Sequence, residues 1–568
     1  MRQENTSGDV NIVIGGEAGQ GLVTVGDILS KTVVRAGYSM VVTQSYMSRI
    51  RGGHNTYCIR AGIDELQAPR ESVDVLVAMN DETVGLHRGE MTNRGCVIID
   101  GKSKVSSDGL ARLAVPFSEL SDKRYFNIAA LGVVASLIGL DEELTAGAVD
   151  DAFGRKHPES VEANRAALAK AYDWMKSRRL PGLVLPPPRR SGGRIVMNGN
   201  QAIALGALSA GVKFCAFYPM TPATSIVLSL AAADQRMGVV VEQAEDEIAA
   251  INMAIGASFA GAPSMVATSG GGFALMTEGV SLAGITETPI LIAVAMRPGP
   301  ATGLPTRTAQ GDLEFVLHSG HGEFPRAVFA PCNVAECFHL TRGAMKLAEK
   351  YQSPVFILTD QFMADSSRAV EPFALDGLDT VNPGAIPESF NGLYKRYALT
   401  QSGVSLRLLP GISRNLVVAD SDEHTEEGHI TEDLAVRVAM ADKRSRKLGG
   451  ITSEVIPPQY VGDETPELLF VTWGSSSGSV LEAAEVLRAG GRKVGTLCFS
   501  QVWPLVPEQF VERLEKALRV VGVEGNATGQ FCRLIRRETG FEIRDRVLRY
   551  DGLPVTPEFV LAGLGKVD

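Results

Sequence analysis

Short apolar runs separated by amphipathic stretches recur along the whole chain. The first, VNIVI at 10–14, leads into GGEAGQG at 15–21, after which Leu22, Val25, Ile28 and Leu29 repeat at helical spacing. VDVLVAM and CVIID follow as buried strands bounded by polar turns. Strands alternating with helical stretches predict an open α/β sheet. Beyond Arg179, LPGLVLPPPRRSGG has the composition of a linker.

The same texture resumes near Gly193. VKFCAFYP, VVVE, SMVATS, PILIAVAM and PVFILTD are strand candidates about one helix apart. After Asp360 the chain turns irregular and proline-rich, and residues 420–433 hold seven carboxylates with no Lys or Arg. Such a run reads first as a solvated face. His424 and His429 lie within it, but a five-residue spacing puts them on different helical faces, a poor metal pair. From Glu467 onward ELLFVTWG, KVGTLCF and RVVGVEGN read as strands, with VLEAAEVLRAG as an amphipathic helix. The expectation is α/β, with three successive open sheet domains at 1–180, 193–440 and 460–568.

Composition narrows the function classes. The chain has 568 residues, 45% hydrophobic and 21% charged, which excludes a disordered or collagen-like protein. Its 60 glycines exceed the usual share of roughly 7% and suggest tight turns near ligands. Fifty-five basic against 65 acidic residues argue against a broad nucleic-acid surface. No stretch approaches the ~20 apolar residues of a membrane helix, and MRQENTSGDV has no signal core. A cytoplasmic protein with no membrane or nucleic-acid partner is expected. The seven cysteines are scattered without a CxxC, and even Cys332 and Cys337 suit no common cluster pattern. They read as reduced core thiols, with no iron–sulfur cluster in this chain.

Five stretches could carry chemistry. The strand–glycine–helix layout of GGEAGQG suits either a tight turn or an anion held by backbone N–H groups. GxGxxG is not met, because Thr24 stands where the third glycine belongs. SYMSRIRGGHNT at 45–56 offers Arg49 and Arg51 as an oxyanion clamp, or as ordinary surface arginines. YPMTP at 218–222 follows a strand, where open α/β sheets bind ligands, so Thr221 is either a substrate-facing hydroxyl or a helix cap. Glu242, Glu245, Asp246 and Glu247 precede a helix of small residues; they complement the helix dipole, or one of them enters the interior as a catalyst. TSGGGF allows close backbone approach to a ligand. The loop that follows the next strand holds Arg297 and Arg307, either able to make a bidentate carboxylate contact worth roughly 1.5–3 kcal/mol.

Together YPMTP, EDEIAAINMAIGASFAG, TSGGGF and RPGPATGLPTRTAQGDL resemble the α subunit of the 2-oxoacid:ferredoxin oxidoreductases. GGEAGQG with SYMSRIRGGHN is similar to that family's γ domain, fused here at the N-terminus. WGSSSG, SQVWPL and VEGNATGQF resemble its C-terminal, transketolase-like domain. The fused γα order and DEHTEEGHITED are most similar to the 2-oxoglutarate enzymes.

The resemblance implies a middle domain of the thiamine diphosphate pyrimidine-binding type. It also implies oxidative decarboxylation of a 2-oxo acid to an acyl-CoA, with electrons passed singly through iron–sulfur clusters to ferredoxin. By position, Glu247 matches the Glu that bonds the aminopyrimidine ring, with Tyr218, Pro219, Gly271 and Gly272 also expected beside the cofactor. Thr221 matches the Thr that holds the substrate. Arg307 is the first choice for the substrate's 1-carboxylate and Arg297 the second. Ser48, Arg49 and Arg51 are expected to cap the site, meet coenzyme A or receive the distal carboxylate of 2-oxoglutarate.

The GDG motif with which thiamine enzymes usually hold Mg²⁺ is missing; QGDLEF lacks the second glycine. The resemblance therefore implies a β subunit supplying the diphosphate site, Mg²⁺ and [4Fe-4S], in an (αβ)₂ assembly with ferredoxin as electron partner. Succinyl-CoA is the expected product. The rival readings are a self-sufficient thiamine enzyme, a non-catalytic assembly subunit, and the same family acting on pyruvate, branched-chain, aryl or mixed 2-oxo acids.

Overall fold

A computed structural model describes residues 8–47, 52–106, 109–155, 157–178, 180–190, 192–381, 392–412 and 414–567. Among these, the apolar runs form three sheets, and the chain divides into two units. The first unit comprises 1–198, 365–373 and 556–558, and the second the remainder.

The first unit is built on β1 (Asp9–Glu17), β2 (Ser39–Ser45), β3 (His54–Gly62), β4 (Val73–Ala78), β5 (Met91–Asp100) and β6 (Ala111–Val115). β1, β4, β5 and β6 run parallel, while β3 lies antiparallel between β1 and β2. The helix Leu22–Arg35 buries Val25, Ile28 and Leu29, the stripe read from the sequence. Within GGEAGQG, Gly16 and Gly21 are packed by protein neighbours, with a Cβ on Gly16 meeting Met79 at 2.9 Å and Gly21 at a left-handed φ of 80° beside Asn127, while Gly19 turns at a φ of 94° in open space. That favours the tight-turn reading.

Two short strands complete this sheet from distant sequence. Arg368, in β14 (Arg368–Val370), is opposite Val41 on one side and Met197 of β7 (Ile195–Met197) on the other. Three-residue strands carry too little periodicity to be read from sequence.

In the second unit the middle sheet comprises β8 (Phe214–Phe217), β9 (Val240–Gln243), β10 (Ser264–Thr268), β11 (Ile290–Met296), β12 (Ala327–Phe329), β13 (Pro354–Asp360) and β18 (Gln501–Trp503). Its order is β18-β12-β13-β11-β10-β8-β9, and every strand but β18 is parallel to its neighbours. β10, β11 and β13 are buried along their whole length, as parallel strands covered on both faces must be.

The last sheet has the order β15-β17-β16-β19-β20, from β15 (Gln459–Gly462), β16 (Leu468–Trp473), β17 (Val494–Phe499), β19 (Arg519–Glu524) and β20 (Asp545–Leu548). The chain leaves β17, skips one residue and enters β18, which pairs with β12 at Val328 and Trp503. One apolar cluster accordingly joins Val266, Val294 and Phe356 to Val471, Trp473 and Phe499. The expected α/β class with three successive open sheets is what the chain forms.

The acidic run at 420–433 differs from its reading as a solvated face. Glu423 binds Arg437 at 2.7 Å and Arg444 at 2.8 Å, and Glu426 binds Lys395 at 2.8 Å. The cations arrive from other segments, which a local charge count cannot see. His424 is buried with its ring 4.0 Å from that of Tyr397. No cluster of three metal-ligating residues occurs among the described residues. The helix Leu434–Ser453 sends Lys443 and Lys447 inward, and both bind the buried carboxylate of Glu287. All seven cysteines are free, five of them buried. No described helix is long and apolar enough to cross a membrane.

Candidate active site

β11, β10, β8 and β9 lie side by side and parallel, so their carboxyl ends open on one edge of the sheet, where such folds place ligands. Each contributes one piece. YPMTP follows β8; Tyr218 and Pro219 are exposed there and Thr221 is half-buried. Buried Asn200 steadies this loop by donating from Nδ2 to the Pro222 carbonyl at 2.8 Å.

The four acids after β9 divide their roles. Glu242 and Glu245 are exposed, and Asp246 caps the helix Glu247–Phe259 by accepting from the Ala249 N–H at 2.7 Å. Glu247 turns inward and is only 4% exposed, and its Oε1 has no hydrogen-bond partner. A buried carboxylate oxygen without a donor is costly, so the site is built to receive one.

After β10 come Ser269 and three glycines that open the helix Gly270–Ile285. Each glycine admits a different neighbour. A Cβ on Gly270 would lie 2.8 Å from Asp312 Cγ, one on Gly271 3.5 Å from the Ala301 carbonyl oxygen, and one on Gly272 2.6 Å from Glu247 Oε1. The triplet thus gathers the buried acid, the loop after β11 and Asp312 around one helix start. Ser269 Oγ is also buried there with no partner.

Arg297, directly after β11, donates from Nη1 to the Thr221 carbonyl at 2.7 Å, while its Nε is buried with no partner. Burial pulls the guanidinium below its ordinary value, and the Asp312 carboxylate opposes that. Burial in turn pushes Asp312 up to about 6, against the pull of Arg297. Its Oδ2 too has no partner. Asp312 was not singled out from the sequence as a site residue; its only signal was QGDLEF, read as an incomplete metal motif.

Arg307 lies elsewhere in the same loop. It packs against Gly552, and the Thr308 N–H donates to the Gly552 carbonyl at 3.2 Å. The structure thus ties Arg297 to Thr221 and carries Arg307 toward the loop after β20. Ser48, Arg49 and Arg51 fall outside the described residues.

Residues 205–443 match the family model described as pyruvate flavodoxin/ferredoxin oxidoreductase, thiamine diP-bdg, and residues 11–174 match pyruvate ferredoxin/flavodoxin oxidoreductase. The chain is 32% identical to the 2-oxoacid:ferredoxin oxidoreductase subunit alpha of a Sulfolobus species, over 98% of this chain and 96% of that one. It is 29% identical to the 2-oxoglutarate oxidoreductase subunit KorA of Mycobacterium tuberculosis, over 93% of this chain and 87% of that one. Among solved structures, the 2-oxoglutarate:ferredoxin oxidoreductase from Magnetococcus marinus, with 2-oxoglutarate, coenzyme A and succinyl-CoA bound, superposes with a TM-score of 0.92. That pair is 31% identical over 98% of this chain and 99% of the other. An inward carboxylate without a donor, a glycine-lined helix start and similarity along nearly the whole length lead to one conclusion: the chain belongs to the 2-oxoacid:ferredoxin oxidoreductase family, as an alpha subunit.

Proposed function

We propose that this chain is the alpha subunit of a cytoplasmic 2-oxoglutarate:ferredoxin oxidoreductase. The reaction converts 2-oxoglutarate and coenzyme A to succinyl-CoA and CO₂, and two electrons pass singly to ferredoxin; it is reversible. The observation that carries the reading is the buried, unpartnered Glu247 Oε1 beside Gly272, which fits the aminopyrimidine of thiamine diphosphate. The substrate assignment draws support from the names of the M. tuberculosis and M. marinus relatives.

Thiamine diphosphate, when bound, supplies the carbon nucleophile and the electron sink for decarboxylation. Glu247 would meet a pyrimidine ring nitrogen through Oε1 and would pass a proton across that contact. The glycine triplet lets the backbone approach the cofactor closely, and Tyr218 and Pro219 border the same opening. Arg297 or Arg307 anchors the 1-carboxylate, and Thr221, held through its carbonyl by Arg297, orients the 2-oxo group. Asp312, with its carboxyl near 6, gives or takes a proton beside Arg297. Ser48, Arg49 and Arg51 are assigned to the distal carboxylate or coenzyme A.

A β subunit completes the site with the diphosphate cradle, Mg²⁺ and [4Fe-4S] in an (αβ)₂ assembly. The sheet edge beside the site supports such a partner: β9 ends the sheet and exposes Val240, and the helix Thr224–Ala231 packed on it exposes Leu228.

The test is CoA-dependent reduction of a one-electron dye across a panel of 2-oxo acids, by this chain with and without its co-purifying partner. Activity in the complex alone, highest with 2-oxoglutarate, is expected. Activity of the chain alone would overturn the shared site. A higher rate with pyruvate or a branched-chain or aryl acid would overturn the substrate, and a silent complex would favour an assembly subunit.

A further inference from the structure

The opposite edge of the middle sheet holds a cavity that the proposed reaction does not use. Residues 318–326 lead into the amino end of β12, which runs parallel to β13 and β11, so this region faces away from the carboxyl ends that form the active site. The cavity measures about 450 Å³, the lower part of the range for small-molecule sites.

Arg326 forms its inner wall. The residue is 6% exposed, and its Nη1 donates to the Val316 carbonyl at 2.9 Å and to Ser319 Oγ at 3.1 Å. No carboxylate pairs with it among the described residues. Three other buried arginines are paired, Arg60 with Asp9 at 2.6 Å, Arg407 with Glu349 at 2.7 Å and Arg444 with Glu423 at 2.8 Å, whereas Arg396, like Arg326, donates to neutral oxygens, Gln352 Oε1 and the Glu287 carbonyl among them. A buried cation without a counter-charge is unfavourable, and burial alone pulls this guanidinium down to about 10.

The remaining walls are aromatic and basic. The Arg326 guanidinium carbon sits 4.5 Å from the centre of the Phe324 ring, and that of Arg537 sits 5.7 Å from the Trp503 ring. Arg537 also donates from Nε to Glu538 at 2.7 Å and its Nη1 lies 2.9 Å from His318 Nε2. Glu323 is exposed at the rim and makes no ion pair with either arginine.

We propose that this cavity binds a small molecule combining one oxyanion, a carboxylate or a phosphate, with a single flat ring. The oxyanion meets the fork of Arg326, and the ring lies along Phe324 and Trp503. Recognition by planar guanidinium and aromatic walls favours this class over a bare inorganic ion.

The test is calorimetric titration of the assembled complex with phenyl phosphate and with benzoate, with excess 2-oxoglutarate present to occupy the active site. Inorganic phosphate and benzyl alcohol serve as the anion-only and ring-only controls. At least one ring-bearing anion should bind saturably and at least tenfold more tightly than either control. Preference for phenyl phosphate would identify a phosphate ligand and preference for benzoate a carboxylate; either supports the site. Arg326→Met should abolish the binding. Arg537→Ala, at the exposed rim, should weaken it about tenfold with an unchanged melting temperature. No saturable binding by either compound, binding that 2-oxoglutarate displaces, or binding undiminished in Arg537→Ala would each overturn the proposal. Because the readout is heat of binding, the outcome is independent of whether the complex oxidises 2-oxoglutarate.

Discussion

Gly272 leaves the space that Glu247 occupies: a Cβ on the glycine would stand 2.6 Å from Glu247 Oε1. The glycine sits in the first turn of a helix, where it is less favourable than alanine, by up to about 1 kcal/mol in a helix interior. Ordinary helix propensity would therefore favour Gly272→Ala, yet the methyl group must displace the carboxylate. We expect this variant to bind thiamine diphosphate at least tenfold more weakly in the assembled complex, measured by cofactor titration. Unchanged affinity would separate Glu247 from the cofactor.

Glu247→Gln keeps the shape and removes the proton-handling acid. The apo chain should become more stable, since an unpartnered buried carboxylate oxygen is replaced by a neutral amide. Turnover should fall by about 10²–10⁴-fold, the range for loss of a proton-handling group. Thermal melts and steady-state rates on the same preparation check both directions; a loss of rate accompanied by a loss of stability would point to a merely structural acid.

Asp312 predicts a pH dependence. Its carboxyl is raised from the ordinary 3.8 to about 6 by burial. The native chain therefore holds an extra proton between these values, and stability falls as pH rises through that window. Allowing for its partial exposure, the cost at neutral pH is about 2 kcal/mol. Asp312→Asn should raise the melting temperature at pH 7 and flatten the change between pH 4 and 6. Melts across that range test it, and an unaltered slope would assign the titration elsewhere.

Arg297 and Arg307 can be told apart by kinetics. Arg297→Ala removes the donor to the Thr221 carbonyl and should raise KM for the 2-oxo acid by about 10–100-fold, the size of a lost charged contact. Arg307→Ala, whose side chain packs against Gly552, should act less on KM if Arg297 is the anchor. The reverse ranking would give Arg307 the 1-carboxylate.

Glu287 neutralises two buried lysines, Lys443 and Lys447. Glu287→Gln leaves both ammonium groups without a counter-charge and should destabilise the chain by about 3–5 kcal/mol. Denaturant unfolding measures this directly.

Much of the site was readable because its signals are local. A strand followed by three glycines fixes where the backbone can be approached, and EDEIAAINMAIG places an acid at a helix start. The residue pattern alone left open which acid turns inward, although the resemblance pointed to Glu247: Asp246 caps and Glu247 is buried because the helix phase separates adjacent residues by about 100°. Asp312 escaped notice because its perturbation comes from burial, opposed by Arg297, and both arise only on folding. The acidic run misled for the same reason, its cations lying on the helix Leu434–Ser453 and at Lys395. β7, β12, β14 and β18 are three residues each, too short for alternation to register.

β18 makes the middle sheet depend on the last part of the chain. A protease that cuts between the helix Leu434–Ser453 and β15 breaks one covalent link but leaves the β12–β18 ladder and the shared apolar cluster intact. The two pieces should travel together through a sizing column and separate only in denaturant. The carboxyl-terminal piece thus acts as a built-in edge protector, and a gene truncated at that point would yield a sheet with a raw margin at β12, prone to pair with its own kind.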